Sequence, residues 1–549
     1  MVKLDINETS QALAVFGGYL IFFGLVSFFL KDRLFMSETL MAFLIGVAFG
    51  PIGAGIFSPI DWVHGDVHHL DYITYQISRI VLGIQVLFTG LNLPKQYCWR
   101  EKTSLAVLLF PIMTAAWFTV GLLVWGLIPG MTFCEALVIG SCVTPTDPVL
   151  ANSICKGHFA EKYVPLGVRN IILAEAGAND GLGFPFLFVP LLLILRYEPG
   201  NVVSTVGGAV GQWFYDIVVY QIILSCVLGM VIGFIARKAL HHAEKHSLIE
   251  HESYLAFSVA ITFLTLGVVG ILGSDDILAC FVVGNVINWD DSYREGSDGQ
   301  AFQEVIDSLL TSGAFLFIGA VMPWDHFGSF WSITPWRLVA LGICVMLFRR
   351  LPWVWMLSPI IPALPTWREA LFAGYFGPIG VGALFYAQVA LHWVPHSRTQ
   401  LHDTVLPVVY FLIMTSIIVH GITIPIGMLM ERLMGFDPAK LFSTADTSVD
   451  ESSRRETPAA RPTLPMHNTS SSLTLEVAST KTAEDANLNV SGKVGKAGKA
   501  GSISESFMSL REDNESICDP DQGPAWSRAS EVSVNSPPDV GSHKATSPV

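Results

Sequence analysis

Charge is scarce in this chain. Asp, Glu, Lys and Arg make up only 14% of its 549 residues, too small a share for a soluble domain of ordinary make-up. The eight cysteines form no C-x-x-C pair, which argues against a zinc site, and most lie in or beside apolar runs as small packing residues. No basic domain suggests nucleic acid as a partner. A phosphate-binding loop is also missing: the stretch GKVGKAGKAGS at 492–502 fails the G-x-x-x-x-G-K-[ST] spacing. With no Ser-His-Asp arrangement and no metal-ligand spacing, an enzyme or an ATP-driven pump is not the expectation, and no cofactor is implied. The opening MVKLDINETSQ has no basic region followed by an A-x-A site, so the first apolar run reads as a retained span.

What is abundant is apolar sequence. Hydrophobic residues make up 51% of the chain, with a mean hydropathy of +0.51. Long apolar runs recur from Ala12 to Met430 and then stop, so the chain is an all-α polytopic membrane protein. A helical span needs roughly 20 apolar residues. On that rule about thirteen runs qualify, starting near Ala12, Glu38, Tyr72, Ser104, Phe133, Gly167, Phe214, Tyr254, Asp276, Val305, Arg337, Glu369 and Thr404. The runs near Asp276 and Val305 are the least regular, so twelve is the alternative count.

Loop charge sets the orientation. Basic residues follow the first, third, fifth and seventh runs: Lys31 and Arg33, then Lys95, Arg100 and Lys102, then Lys156, Lys162 and Arg169, then Arg237, Lys238 and Lys245. Short basic loops stay cytoplasmic, which puts the odd-numbered loops and the C-terminal segment inside. The loop at 289–303 dissents, because Asp290, Asp291, Glu295 and Asp298 make it acidic. The chain divides into a transmembrane domain at 1–434 and a tail at 435–549 rich in Ser, Thr, Pro, Asp and Glu, which cannot bury a core and reads as disordered, cytoplasmic and open to phosphorylation and to regulatory partners. The sequons at Asn7 and Asn468 are expected to stay unmodified, the first too close to the membrane and the second in the cytosol.

Charges inside apolar runs are costly and mark function by default. The stretch 171–185, IILAEAGANDGLGFP, holds Glu175, Asn179 and Asp180. On a helix Glu175 and Asn179 share a face, whereas Asp180 lies about 140° from Glu175, so Asp180 can face a cavity while Glu175 needs its own partner. Gly177, Gly181 and Gly183 allow another backbone to come close. In the fifth run, Thr144-Pro145-Thr146-Asp147-Pro148 carries two prolines that break the helix around Asp147. Broken helices at membrane depth survive where they line a cavity or are buried in protein, and their freed ends can serve an ion. Arg349 and Arg350 stand in the middle of the eleventh run, and a guanidinium there must be paired, so either one is a candidate partner of Glu175. Asp275 and Asp276 either open a helix, with one acid facing the cavity, or form a short external turn. A few intramembrane acids, a broken helix and an arginine counter-charge together point to a cation- or proton-coupled secondary transporter.

At these residues the chain resembles the fungal plasma-membrane sodium/proton antiporters of the monovalent cation:proton antiporter superfamily. The likeness is carried by Thr146-Asp147-Pro148, Glu175 with Asn179-Asp180, Ser274-Asp275-Asp276, Arg349-Arg350-Leu351-Pro352, Trp367-Arg368-Glu369-Ala370 and the run from Gly374 to Ala383. It spans residues 12 to about 438. The resemblance implies an inverted-repeat fold with a dimerisation domain and a core domain, a homodimer, and two broken helices crossing beside the acids. It implies that Asp180 binds cation and proton, with Asn179 beside it and Thr146 and Asp147 on the crossing helix, so that Asp180 and Asp147 would hold Na⁺ or Li⁺ transiently. It also implies a structural pair of Glu175 with a buried arginine, Arg350 being favoured over Arg349, and a supporting acidic pair in Asp275 and Asp276. The implied activity is exchange of cytoplasmic Na⁺, also Li⁺ and with K⁺ as a further candidate, for external H⁺, serving salt tolerance and pH homeostasis. An endosomal or vacuolar K⁺/H⁺ exchanger and a sodium-coupled organic-solute symporter are the alternatives.

Overall fold

The computed structural model describes residues 7–28, 30, 36–155, 164–198, 205–296, 300–328 and 333–434. The expectations for the tail and for the sequon at Asn468 lie outside the described residues. In chain order the main helices are α1 (Glu8–Phe28), α2 (Glu38–Phe49), α3 (Val67–Asn92), α4 (Lys102–Leu127), α5a (Phe133–Cys142), α5b (Pro148–Cys155), α6a (Leu166–Asn179), α6b (Phe184–Leu195), α7 (Val206–Lys245), α8 (His251–Ile271), α9 (Asp276–Ile287), α10 (Gln300–Ala320), α11a (Pro335–Phe348), α11b (Leu351–Leu357), α12a (Trp367–Tyr375), α12b (Val381–Trp393) and α13 (Thr399–Met434). Each of the thirteen apolar runs therefore becomes one helix or one interrupted pair. Among the described residues, seven helical segments are long and apolar enough to cross a membrane, while α2, α5a and α9 are shorter apolar helices. The start of α9 is fixed locally: Gly273 takes a φ of +68°, and the Asp275 carboxylate then caps the helix by accepting from the Leu278 amide at 2.9 Å.

Contacts between loops sort the helix ends onto two faces. Arg237, in the last turns of α7, pairs with Asp290, after α9, at 2.5 Å, and the Asn288 side chain donates to the Leu93 carbonyl after α3 at 2.9 Å. On the opposite face Arg398, before α13, reaches Glu198 after α6b at 3.3 Å, and Gln400 donates to the Pro129 carbonyl after α4 at 2.8 Å. Odd-numbered loops thus meet odd and even meet even, as alternating spans require. Two of the four acids in the dissenting loop are matched locally, Asp290 by Arg237 and Asp291 by Arg294.

The helices pack in two groups. In one, α9 lies against α3, α7 and α8, and α10 lies along α2. In the other, α5a packs on α4, α6b and α12b, α11a on α4 and α13, and α11b on α12a. The seam between the groups is formed by α3 and α9 against α6a, and by α3 against α12b.

The second group contains a repeat. Thr132 and Glu135 form a reciprocal capping box at the start of α5a, and Thr366 and Glu369 form the same box at the start of α12a. Each box is followed by a short helix, an interruption and a second helix, broken at 143–147 and again at 376–380. Because α5a starts from the even-loop face and α12a from the odd-loop face, the two broken spans run in opposite directions. This is an inverted repeat, and its two interruptions meet.

Candidate ion-binding site

The meeting point is a crossing of two helix breaks. The Asp147 amide donates to the Pro378 carbonyl at 3.0 Å, joining one break to the other. The Asp147 carboxylate then caps two helices at once: Oδ2 accepts from the Leu150 amide at 2.8 Å and Oδ1 from the Val381 amide at 2.9 Å. A negative group between two helix N-termini satisfies orphan donors and suits both dipoles. Gly380 is needed for this approach, since a Cβ there would lie 2.4 Å from Asp147 Cγ.

Arg349 supplies the opposite charge. Its guanidinium donates to the Val143 and Gly377 carbonyls, and to the Pro145 carbonyl at 3.4 Å. These acceptors lie just beyond the C-terminal ends of α5a and α12a, where a helix dipole favours a cation. Of the two candidate partners of Glu175, Arg349 is therefore not the one that engages it. α11a ends at Phe348 and α11b begins at Leu351, and the joint turns the adjacent guanidiniums to different partners. Arg350 forms the pair, donating from Nη1 to Glu175 Oε1 and from Nη2 to Oε2 at 2.5 Å, while its Nε donates to the Ala373 carbonyl at 3.1 Å. Both side chains are buried.

Asn179, the last residue of α6a, grips the first break. Its Nδ2 donates to Thr146 Oγ1 at 2.8 Å, and its Oδ1 accepts from the Thr146 amide at 3.2 Å. Asp180 follows, in the interruption between α6a and α6b, and is 1% exposed. Its two carboxylate oxygens accept no hydrogen bond within the protein. Gly382, two residues after the glycine beside Asp147, passes close enough that a Cβ would sit 2.5 Å from Asp180 Oδ1. Thr146, Asp147, Asn179 and Asp180 are thus brought together at the start of α12b. What remains at their centre is a pair of buried carboxylate oxygens whose lone pairs are free for a proton or a cation. Among the described residues no three His, Cys, Asp or Glu side chains are grouped so as to hold a metal ion, so a cation at Asp180 would need backbone, hydroxyl, amide or water oxygens as well.

Asp275 and Asp276 open helix α9 rather than an external turn, and both are buried. They are not equivalent. Asp276 is engaged by Arg79 of α3, whose Nε donates at 2.6 Å and whose Nη2 donates both to Asp276 and to the Leu266 carbonyl. Asp275 uses one oxygen as the helix cap and leaves Oδ2 without a partner. The first turn of α9 touches the interruption that carries Asp180, for a Cβ on Gly181 would meet the Leu278 amide at 2.9 Å. Arg79 was missed in the sequence, although it stands in the apolar run that begins near Tyr72, and the reasoning applied to Arg349 and Arg350 would have found it. The two T-x-x-E boxes were missed as well.

Comparison with known proteins places this geometry. A family model described as "Sodium/hydrogen exchanger, transmembrane" matches residues 18–429. An Na(+)/H(+) antiporter of Saccharomyces cerevisiae is 37% identical over 467 residues, covering 82% of this chain and 46% of that protein. An Na(+)/H(+) antiporter of Schizosaccharomyces pombe is 32% identical over 463 residues, covering 82% of this chain and 96% of its own length. The chain spans about half the length of several of the curated relatives it matches, at 46%, 57% and 54%. Among solved structures, the sodium proton antiporter MjNhaP1 of Methanocaldococcus jannaschii superposes with a TM-score of 0.58 at 16% identity, covering 78% of this chain and 100% of that one, which shows a shared fold. With a family match over most of its length and relatives at this level of identity, the chain belongs to the transmembrane sodium/hydrogen exchanger family.

Proposed function

We propose that the protein is a secondary active antiporter that exchanges cytoplasmic Na⁺ or Li⁺, with K⁺ as a further candidate, for external H⁺. The observation that carries this reading is Asp180: a buried carboxylate beside two crossing helix breaks, with neither oxygen engaged by a protein donor. One carboxylate can hold a proton or a hard cation but not both, and a hard cation prefers oxygen ligands. Competition for one site that faces the two sides in turn gives exchange without ATP. Asn179 and Thr146 fix the neighbouring backbone and offer amide and hydroxyl oxygens. Asp147 holds the crossing by capping two helix starts, Arg349 balances the carbonyl ends, and the Glu175–Arg350 pair is structural. Asp275 is the supporting acid on α9, and Asp276 acts with Arg79 in placing that helix. The likeness to fungal antiporters supports a homodimer in the plasma membrane and a role in salt tolerance and pH homeostasis.

The test is cation-driven pH change in proteoliposomes, with Na⁺, Li⁺ and K⁺ in turn, for wild type and Asp180→Asn. Exchange present in wild type and absent in the folded mutant supports the reading, and the ion series fixes selectivity. Unchanged exchange in the mutant would move the site to another acid. No exchange with any cation would overturn antiport and bring a solute-coupled symporter forward.

A further inference from the structure

The interruption in the sixth span poses a physical problem that the residues discussed so far do not solve. α6a ends at Asn179 and α6b begins at Phe184, and Pro185 has no amide to continue the ladder. Backbone groups freed at membrane depth are costly unless something satisfies them. Tyr386 of α12b does so. Its hydroxyl donates to the Asp180 carbonyl at 2.5 Å and accepts from the Gly183 amide at 3.1 Å, so one side chain from the second broken span is inserted into the break in the sixth. The ring is fully buried and is held edge-on by Phe184 and Phe385, with centroids 5.4 and 5.3 Å away. Gly183 makes room for it: a Cβ there would lie 2.3 Å from Tyr386 Cζ.

The same helix meets Asp180 twice. Gly382 passes the carboxylate, and Tyr386, four residues on and on the same helical face, holds the carbonyl of the same residue. We propose that Tyr386 is a positioning residue for ion exchange: its hydroxyl fixes the backbone of Asp180 so that the carboxylate is held toward Gly382 and moves with the second broken span as one body. The proposal rests on the reading of Asp180 as the ion-binding carboxylate. It assigns the tyrosine no contact with the transported ion, only control of where the carboxylate points.

The test uses full-length protein in proteoliposomes, comparing wild type with Tyr386→Phe, which keeps the ring and removes the hydroxyl. Without its anchor the carboxylate samples more orientations, so the apparent KM for Na⁺ should rise about tenfold, equivalent to about 1.4 kcal/mol. Maximal exchange should change far less, and the pH profile should shift because proton and cation use the same carboxylate. Gly183→Ala, which keeps the hydroxyl but displaces the ring, should give the same split. Wild-type KM and pH profile in a folded Tyr386→Phe protein would overturn the proposal; should that variant fail to fold, Gly183→Ala decides, and a wild-type KM and pH profile in it would overturn the proposal. Absence of exchange in wild type is a different result: it overturns the antiporter reading itself and this proposal with it.

Discussion

Glu175 and Arg350 allow a sharp test of which buried charges hold the fold. Their side chains are 4% and 7% exposed and meet through two parallel hydrogen bonds, with Arg350 also tied to Ala373. The contact links α6a to the joint of α11, 175 positions further on, and to α12a. Glu175→Gln keeps the shape and removes the charge, leaving a guanidinium in a low-dielectric interior without its counter-ion. Breaking a buried pair in this way costs about 3–5 kcal/mol, against about 0–1 kcal/mol for an exposed pair. Arg350→Gln should cost about as much, for the mirror-image reason. The double variant Glu175→Gln/Arg350→Gln removes both charges together and should lose much less than the sum of the two, because no unpaired ion remains. Thermal unfolding of purified protein in detergent gives the comparison, and exchange by the folded fraction gives a second one. Since the pair is assigned no ion contact, the apparent KM for Na⁺ in folded Glu175→Gln should stay near wild type. Additive losses in the double variant, or a single loss below about 1 kcal/mol, would refute the ion-pair argument. A large change in KM with intact stability would instead make Glu175 a ligand.

Two further outcomes are expected. Asp147→Asn replaces one of two capping oxygens with an amide donor that faces a backbone N–H, so one helix start loses its cap at a cost of about 0.5–2 kcal/mol. Exchange should fall even though Asp180 is intact, as unfolding and flux measured on the same preparation would show. In the loop after α9, hydrogen bonding from Arg294 outweighs partial burial and holds the Asp291 carboxyl below the usual range. A depressed carboxylate stabilises the fold above its ordinary pKa and loses that effect as pH falls through the folded value. Arg294→Ala should therefore lower stability by less than about 1 kcal/mol at pH 7, an allowance for solvent screening, with the difference vanishing on acidification when unfolding is followed against pH.

The span pattern was legible because bilayer thickness acts on every run alike, which is why thirteen helical units follow the thirteen apolar runs even where α2 and α9 are short. The breaks were legible in part: Pro145 and Pro148 announced the first, whereas the second, at 376–380, lies in Phe-Gly-Pro-Ile-Gly and becomes clear only when Thr366 and Glu369 are set beside Thr132 and Glu135.

 That Thr366–Glu369 box copies the Thr132–Glu135 box at the head of the first broken span.

What could not be read in advance is which buried charge is already occupied. The sequence places Asp147, Glu175, Asp180, Asp275 and Asp276 in the membrane and sets only Glu175 apart by helical angle as needing a partner of its own, and burial alone does not rank them, because all five are buried. The ranking depends on partners contributed by distant segments. Glu175 is neutralised by Arg350, Asp276 by Arg79 of α3, and Asp147 by amides at the starts of two helices from opposite halves of the repeat. Asp275 keeps one oxygen for the cap of its own helix. Neighbouring arginines illustrate the same limit: Arg349 and Arg350 differ by one position, yet a bend in the helix sends one to carbonyls and the other to a carboxylate. Once these pairings are drawn, Asp180 is the acid among the five with both oxygens unengaged by any protein donor. An intramembrane carboxylate left in that condition is costly unless a proton or a cation completes it. The same reasoning that gives the other acids protein partners therefore leaves Asp180 as the acid the proposed exchange would use.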